Sequence, residues 1–458
     1  MYLPNETLLL IGQHIDPLIK KPNYLELARV CRHWYSLFTP QLYSDIRIDA
    51  SQLPALVRSV HENPRLGTYI RRFILRWWDS WDEEEGDYDP ELLRFLAKKA
   101  SHSLEEAEKW KTSLKKTNTD AWFAVLLMYM PNMTTLDIDH SGNSDFVKRM
   151  LCRAAYREKP FDRIPGLQNL ETVRIPNEDR NKAFYPACEI VPFFHLPKVR
   201  FLQGETVIEN EYDKRDDHPA QKAAKGTSPI QRIKFNNCNG RKGFTEFIAS
   251  CANLQEFEYQ HSNQEIWGET YIGFRPCLFY KALLTQKHSL QVLRLNDGGD
   301  HEMTDMGEEG EEEEDSHPDD WFGSLKEFIY LRELRIRIRN LFDYGRENKT
   351  PSLSLQEILP SSLEYLVLAN YDVLQYSVIN SNLHELLSRR EEFPNLRKIE
   401  IQPGEAERIY PAKSVIYWKD NFQAPIGARE SFREIERVCG EVGVEFGYCF
   451  GGMIRVLS

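Results

Sequence analysis

The residues of this chain with chemistry to offer are eight cysteines, twelve histidines and a few arginines at matched positions. The cysteines at 31, 152, 188, 238, 251, 277, 439 and 449 form no C-x-x-C pair, and the histidines lie apart. Neither a zinc framework nor a redox motif is indicated. The chain holds no G-x-S-x-G, no P-loop, no G-x-G-x-x-G opening a helix and no H-E-x-x-H. It therefore reads as a non-enzyme, with no catalytic residue, metal ligand or cofactor assigned. What remains is Arg294 in "LQVLRL" and Arg335 and Arg337 in "LRELRIRI". A guanidinium is a planar fork of donors that fits carboxylate and phosphate oxygens. Held side by side, these three can grip a carboxylate-rich or phosphorylated peptide; otherwise they form an ordinary solvated face, or pair with Glu333 and the acidic segment nearby. The choice depends on the elements that carry them.

Those elements recur. An apolar-x-x-apolar-x-apolar triplet appears at Ile70-x-x-Phe73-x-Leu75, Met133-x-x-Leu136-x-Ile138, Leu170-x-x-Val173-x-Ile175, Ile230-x-x-Ile233-x-Phe235 and Leu254-x-x-Phe257-x-Tyr259. It returns at Leu290-x-x-Leu293-x-Leu295, Leu331-x-x-Leu334-x-Ile336, Leu363-x-x-Leu366-x-Leu368 and Leu396-x-x-Ile399-x-Ile401, with "VRFLQG" (199–204) as a degenerate member. The last two apolar residues are two apart, so they share one face of a strand, and the residues between them point the other way. Helix-like segments lie between triplets, at 144–156, 243–251, 276–287, 383–393 and 430–442. Most triplets follow a short lead such as "MPN", "LQN", "CAN" or "FPN", and lead plus triplet resembles the leucine-rich repeat in an irregular form. The resemblance implies an α/β solenoid, with a parallel sheet on the concave side and helices on the convex side. Adjacent strands then set Arg294 beside Arg335, with Arg337 nearby.

The first fifty residues follow another pattern. Leu8, Ile11 and Ile15 recur at helical spacing after Asn5, a candidate N-cap. Pro17 and the Lys20-Lys21-Pro22 break end that run, Asn23 can cap a second helix, and Pro40 stops it. Segments of this size bury little by themselves and usually need outside support, so their large apolar residues are candidates for an interface. In order, Leu3-Pro4-x-Glu6, Leu25-x-Leu27-x-x-Val30-Cys31-Arg32-x-Trp34 and Pro40-x-Leu42-Tyr43 resemble the F-box, a three-helix module. The resemblance implies binding to a Skp-family adaptor and, through it, to a cullin–RING ubiquitin ligase. It puts the adaptor contacts on Leu3, Pro4, Ile15, Leu25, Leu27, Val30, Cys31 and Trp34; Leu37 joins Leu3, Pro4, Leu25, Leu27 and Trp34 as a side chain left over once the helices pack on each other. Without an adaptor, the same helices are a cap on the repeats of a scaffold working outside ubiquitination.

The totals bound these readings. A net charge of −12 argues against nucleic-acid binding. No apolar run approaches the ~20 residues that span a bilayer, and the N-terminus does not read as a secretory signal. Free thiols then suit a reducing compartment, cytoplasm or nucleus. The chain divides into an F-box (1–48), a first repeat with a helical insert (49–130) and a repeat solenoid (131–458). Within the last, the acidic run at 297–320 is expected to be a disordered loop.

Overall fold

The structure is a computed structural model. It describes residues 4–13, 20–76, 85–139, 145–176, 184–209, 219, 222–262, 273–297, 321–344, 351–371, 376–403, 426–450 and 453–455. The chain forms two compact units, residues 1–203 with 214–223, and residues 204–213 with 224–458.

The first unit begins with helices α1 (Asn5–Gln13), α2 (Lys20–Val30) and α3 (Arg32–Ser44). Two expectations about their boundaries are corrected. Lys20-Lys21-Pro22 does not separate helices but opens α2, because a proline in a first turn gives up an N–H that has no partner there. Asn23 is thus inside α2 rather than its cap. Pro40 does not end the next helix either. It lies inside α3, where the neighbouring turns hold the helix despite the lost backbone donor. The break falls instead at Cys31, in an extended conformation (φ −163°).

The helices run without a linker into β1 (Asp45–Asp49), which pairs in parallel with β2 (Arg72–Arg76). Next in order come β3 (Thr135–Ile138) and β4 (Thr172–Ile175), also parallel, then β5 (Phe201–Glu205), through which the unit boundary passes. β1 obeys the repeat pattern as Tyr43-x-x-Ile46-x-Ile48, with Ile46 opposite Phe73 and Ile48 opposite Leu75. Between β1 and β2 lie α4 (Leu53–Glu62) and α5 (Pro64–Tyr69). The 77–130 insert contributes α6 (Pro90–Ala100), α7 (Leu104–Lys115) and α8 (Thr119–Leu126). Each starts on a side-chain cap: Asp89 accepts from the Glu91 N–H, Ser103 from Glu106 and Asn118 from Ala121. Helix α9 (Asp145–Tyr156) follows β3. Trp110 and Trp122 are fully enclosed, and the Trp122 indole donates to the Leu114 carbonyl at 2.9 Å.

In the second unit, β6 (Arg232–Cys238), β7 (Glu256–His261), β8 (Val292–Asp297), β9 (Glu333–Arg337), β10 (Tyr365–Tyr371), β11 (Lys398–Pro403) and β12 (Glu445–Phe450) pair in parallel in sequence order. A short β13 (Met453–Arg455) closes the edge antiparallel to β12. All three apolar residues of every triplet in this unit are buried. The helices α10 (Thr245–Ser250), α11 (Pro276–Leu283), α12 (Tyr376–Ser388) and α13 (Ile426–Glu441) stand between strands, as the spacing predicts. Backbone bonds run from one lead to the next: Gln255 N–H to Gln231 O, Gln291 to Gln255, Arg332 to Gln291, Glu364 to Arg332 and Arg397 to Glu364. These bonds stack each repeat on the one before it, so each buries its apolar edge only against its neighbours. The acidic run from 298 to 320 and the tryptophans of "RWWDSWD" lie outside the described residues.

Candidate interaction surfaces

The first candidate surface is built by α1–α3. Leu8, Tyr24, Ala28 and Phe38 form their small core. Tyr24 stacks on Phe38 at 5.9 Å, and Trp34 meets Phe38 edge-on at 5.6 Å. Around it, Leu27, Trp34 and Leu37 are half-buried against the core. Pro4 and Cys31 are exposed, Leu25 is 39% exposed and Val30 62%. Leu3 and Ile15 lie outside the described residues. The structure adds two apolar side chains that the sequence motif does not single out, Leu10 (54% exposed) and Tyr35 (52%). Leu10 falls beside the Leu8–Ile11 stripe, and Tyr35 is one residue round the helix from Trp34, so helical spacing alone turns both away from the core.

The second candidate surface is the open face of the sheet in the second unit, formed by the strand residues between the buried ones. The register places Arg294 directly opposite Arg335, as expected. It does not leave a set of uncommitted guanidinium groups. The Arg294 Nε donates to Glu333 at 2.7 Å, and its Nη1 donates to Glu256 at 2.9 Å and Glu258 at 3.4 Å. Burial draws its proton affinity down, but the hydrogen bond and charge of Glu333, joined by Glu258 and Glu256, more than offset this and raise its pKa. Arg337 is only 4% exposed and so is not part of the open face. It ends β9, and the short helix Ile338–Leu341 follows directly.

The pairing continues along the face. Lys234 meets Glu258 at 2.7 Å. Lys398 lies 3.4 Å from Glu400 and 3.3 Å from Glu445. At the strand entrances, Glu364 sits between Arg332 (3.7 Å) and Arg397 (3.8 Å). The sequence puts unlike charges at the same step of successive repeats, and parallel register brings them together. Tyr365 and Val367 of β10 interrupt this charged face, with Tyr365 38% exposed. They stand among the outward-facing positions of the repeat, but the tertiary pairing of the arginines is what sets them apart.

Among the described residues no group of three or more His, Cys, Asp or Glu side chains is placed to hold a metal, and no helix is long and apolar enough to cross a membrane. Burial pushes the thiols of Cys251 and Cys439 up to about 12, which keeps them protonated at neutral pH.

No curated protein matches the chain. A family model described as a leucine-rich repeat domain matches residues 78–404, which takes in β3 to β11 and stops short of α1–α3. Parallel strands in sequence order, helices between them and a ladder of leads are the architecture of such repeats, whose role is to present a surface to protein partners. On this match the chain belongs to the leucine-rich repeat domain family.

Proposed function

We propose that the protein is a substrate-receptor subunit of a Skp–cullin–F-box ubiquitin ligase. In this reading α1–α3 are an F-box that grips the Skp-family adaptor, and the repeats hold a target protein. The ubiquitin transfer itself belongs to partner proteins. The receptor contributes by raising the concentration of target lysines near the charged conjugating enzyme.

One observation carries the reading. Among the described residues, eleven large hydrophobic side chains are exposed, and four of them, Leu10, Leu25, Val30 and Tyr35, belong to α1–α3. So short a segment with so much uncovered apolar surface is suited to being covered by another chain. Its resemblance to the F-box names the kind of chain.

The test is co-purification of the full-length protein with a Skp-family adaptor. Leu27 and Trp34 help hold the helices together, so changing them confounds folding with binding. Leu25→Asp with Val30→Asp alters exposed positions instead. This pair should abolish adaptor capture while leaving the circular dichroism spectrum unchanged. Wild-type protein that captures no adaptor, or a double variant that binds as well as wild type, refutes the assignment and leaves a repeat scaffold acting outside ubiquitination.

A further inference from the structure

The open face of the second unit has an apolar window bordered by charged residues, of which Glu333, Lys398, Glu400 and Glu364 are held in ion pairs. Tyr365 and Val367 stand two apart on β10 and point the same way. Their cross-strand neighbours are Glu333 and Arg335 on β9, and Lys398 and Glu400 on β11. Glu333 is bound by Arg294, and Lys398 by Glu400 and Glu445. Just outside, Glu364 is bracketed by Arg332 and Arg397.

A charged partner group landing here must compete with ion pairs that are already formed and partly shielded from water. Displacing one leaves its former partner without a counter-ion. An uncharged apolar side chain disturbs none of them. It removes the Tyr365 ring from water and gains the contact area of an aromatic anchor.

We propose that Tyr365 and Val367 are the anchor of the protein-binding face, and that the partner is a peptide segment presenting an uncharged aliphatic or aromatic side chain, without need of a phosphate. This rests on the reading that the repeats receive a protein target. It is independent of adaptor binding, so failure of the F-box assignment leaves it standing.

The test uses the full-length protein to select from phage-displayed random peptides, with a parallel library containing phosphoserine. Selected peptides are then measured by fluorescence polarisation. Enrichment of uncharged apolar anchors is expected, with affinity about tenfold weaker for Tyr365→Ala and retained by Tyr365→Phe. Binding should change little with salt, because no ion pair is made or broken. Tyr365 is partly solvated, so the thermal midpoint of each variant should match wild type and serves as the folding control. Three outcomes overturn the proposal: enrichment of acidic or phosphorylated sequences, enriched peptides indifferent to Tyr365→Ala, or no enrichment of any peptide.

Discussion

Asp120 gives the first unit a pH dependence that can be worked out from its surroundings. Its side chain is buried on α8, and its two carboxylate oxygens accept the N–H groups of Phe146 (2.7 Å) and Val147 (2.9 Å) in the first turn of α9. It therefore caps a helix from a different helix. Burial pushes its carboxyl up, the two N–H donors oppose this, and Glu189 and Asp145 push it up again, to about 7 from an ordinary 3.8. The folded state thus holds the proton more tightly than the unfolded chain. The group's contribution is fully present below the unfolded value and is lost as pH rises to the folded value. The whole span of about 3 pH units corresponds to ~4 kcal/mol, of which ~2 kcal/mol falls between about pH 5.5 and pH 8. Glu106, which burial pushes up but the His102 N–H and the pairing with Arg153 and Arg149 draw down to about 2, acts in the opposite sense, but only at lower pH. The assay is amide hydrogen exchange of the segment 145–156, corrected for the intrinsic pH dependence of exchange. Protection in wild type should fall about thirtyfold across that range. Asp120→Asn should start less protected, because an amide has one acceptor oxygen for two donors, and should show no such fall. A flat wild-type profile, or a variant that keeps the wild-type slope, refutes the account.

Two further substitutions test the packing. Gln286 is buried, donates to the carbonyls of Ile248 (3.0 Å) and Cys251 (2.9 Å), and accepts from the Leu254 N–H (3.1 Å). Gln286→Leu should cost about 2–3 kcal/mol in urea unfolding, since the Cys251 carbonyl and the Leu254 N–H lose this partner inside the protein and the Ile248 carbonyl keeps only the Cys251 N–H; a loss near zero would show that these bonds are not stabilising. A Cβ on Gly67 would lie 2.0 Å from the Tyr129 carbonyl oxygen. Gly67→Ala should therefore lower stability by about 1–3 kcal/mol even though alanine favours helices, and a thermal midpoint at or above wild type would contradict that close approach.

The repeat was legible because it depends on a local pattern. Every quoted triplet from Ile230 to Leu396 lies in the core, and each predicted interstrand helix of that region is present. The strand β1 obeys the same rule as Tyr43-x-x-Ile46-x-Ile48, but its first residue, Tyr43, also closes the F-box-like motif, which hides the repeat there. The helix α7 in "LEEAEKWKTSLK" carries only a weak apolar stripe. It shows few apolar residues because Trp110 and Leu114 carry most of its burial. Proline was the least dependable sign. Pro22 and Pro40 both lie inside helices, since a proline breaks a helix only where neither position nor packing absorbs its missing donor.

The order of charges and apolar residues along the chain was enough to establish parallel repeats, a helical opening segment rich in large apolar residues, and the adjacency of Arg294 and Arg335. Those features follow from period and register, which are properties of spacing. Spacing says nothing about which partner a side chain finds across several strands. That Arg294 is held by Glu256, Glu258 and Glu333, that Arg337 is buried, and that Tyr365 is left facing water were decided by the tertiary structure alone. Electrostatic pairing and burial depend on distances between residues far apart in sequence, and only folding sets those distances.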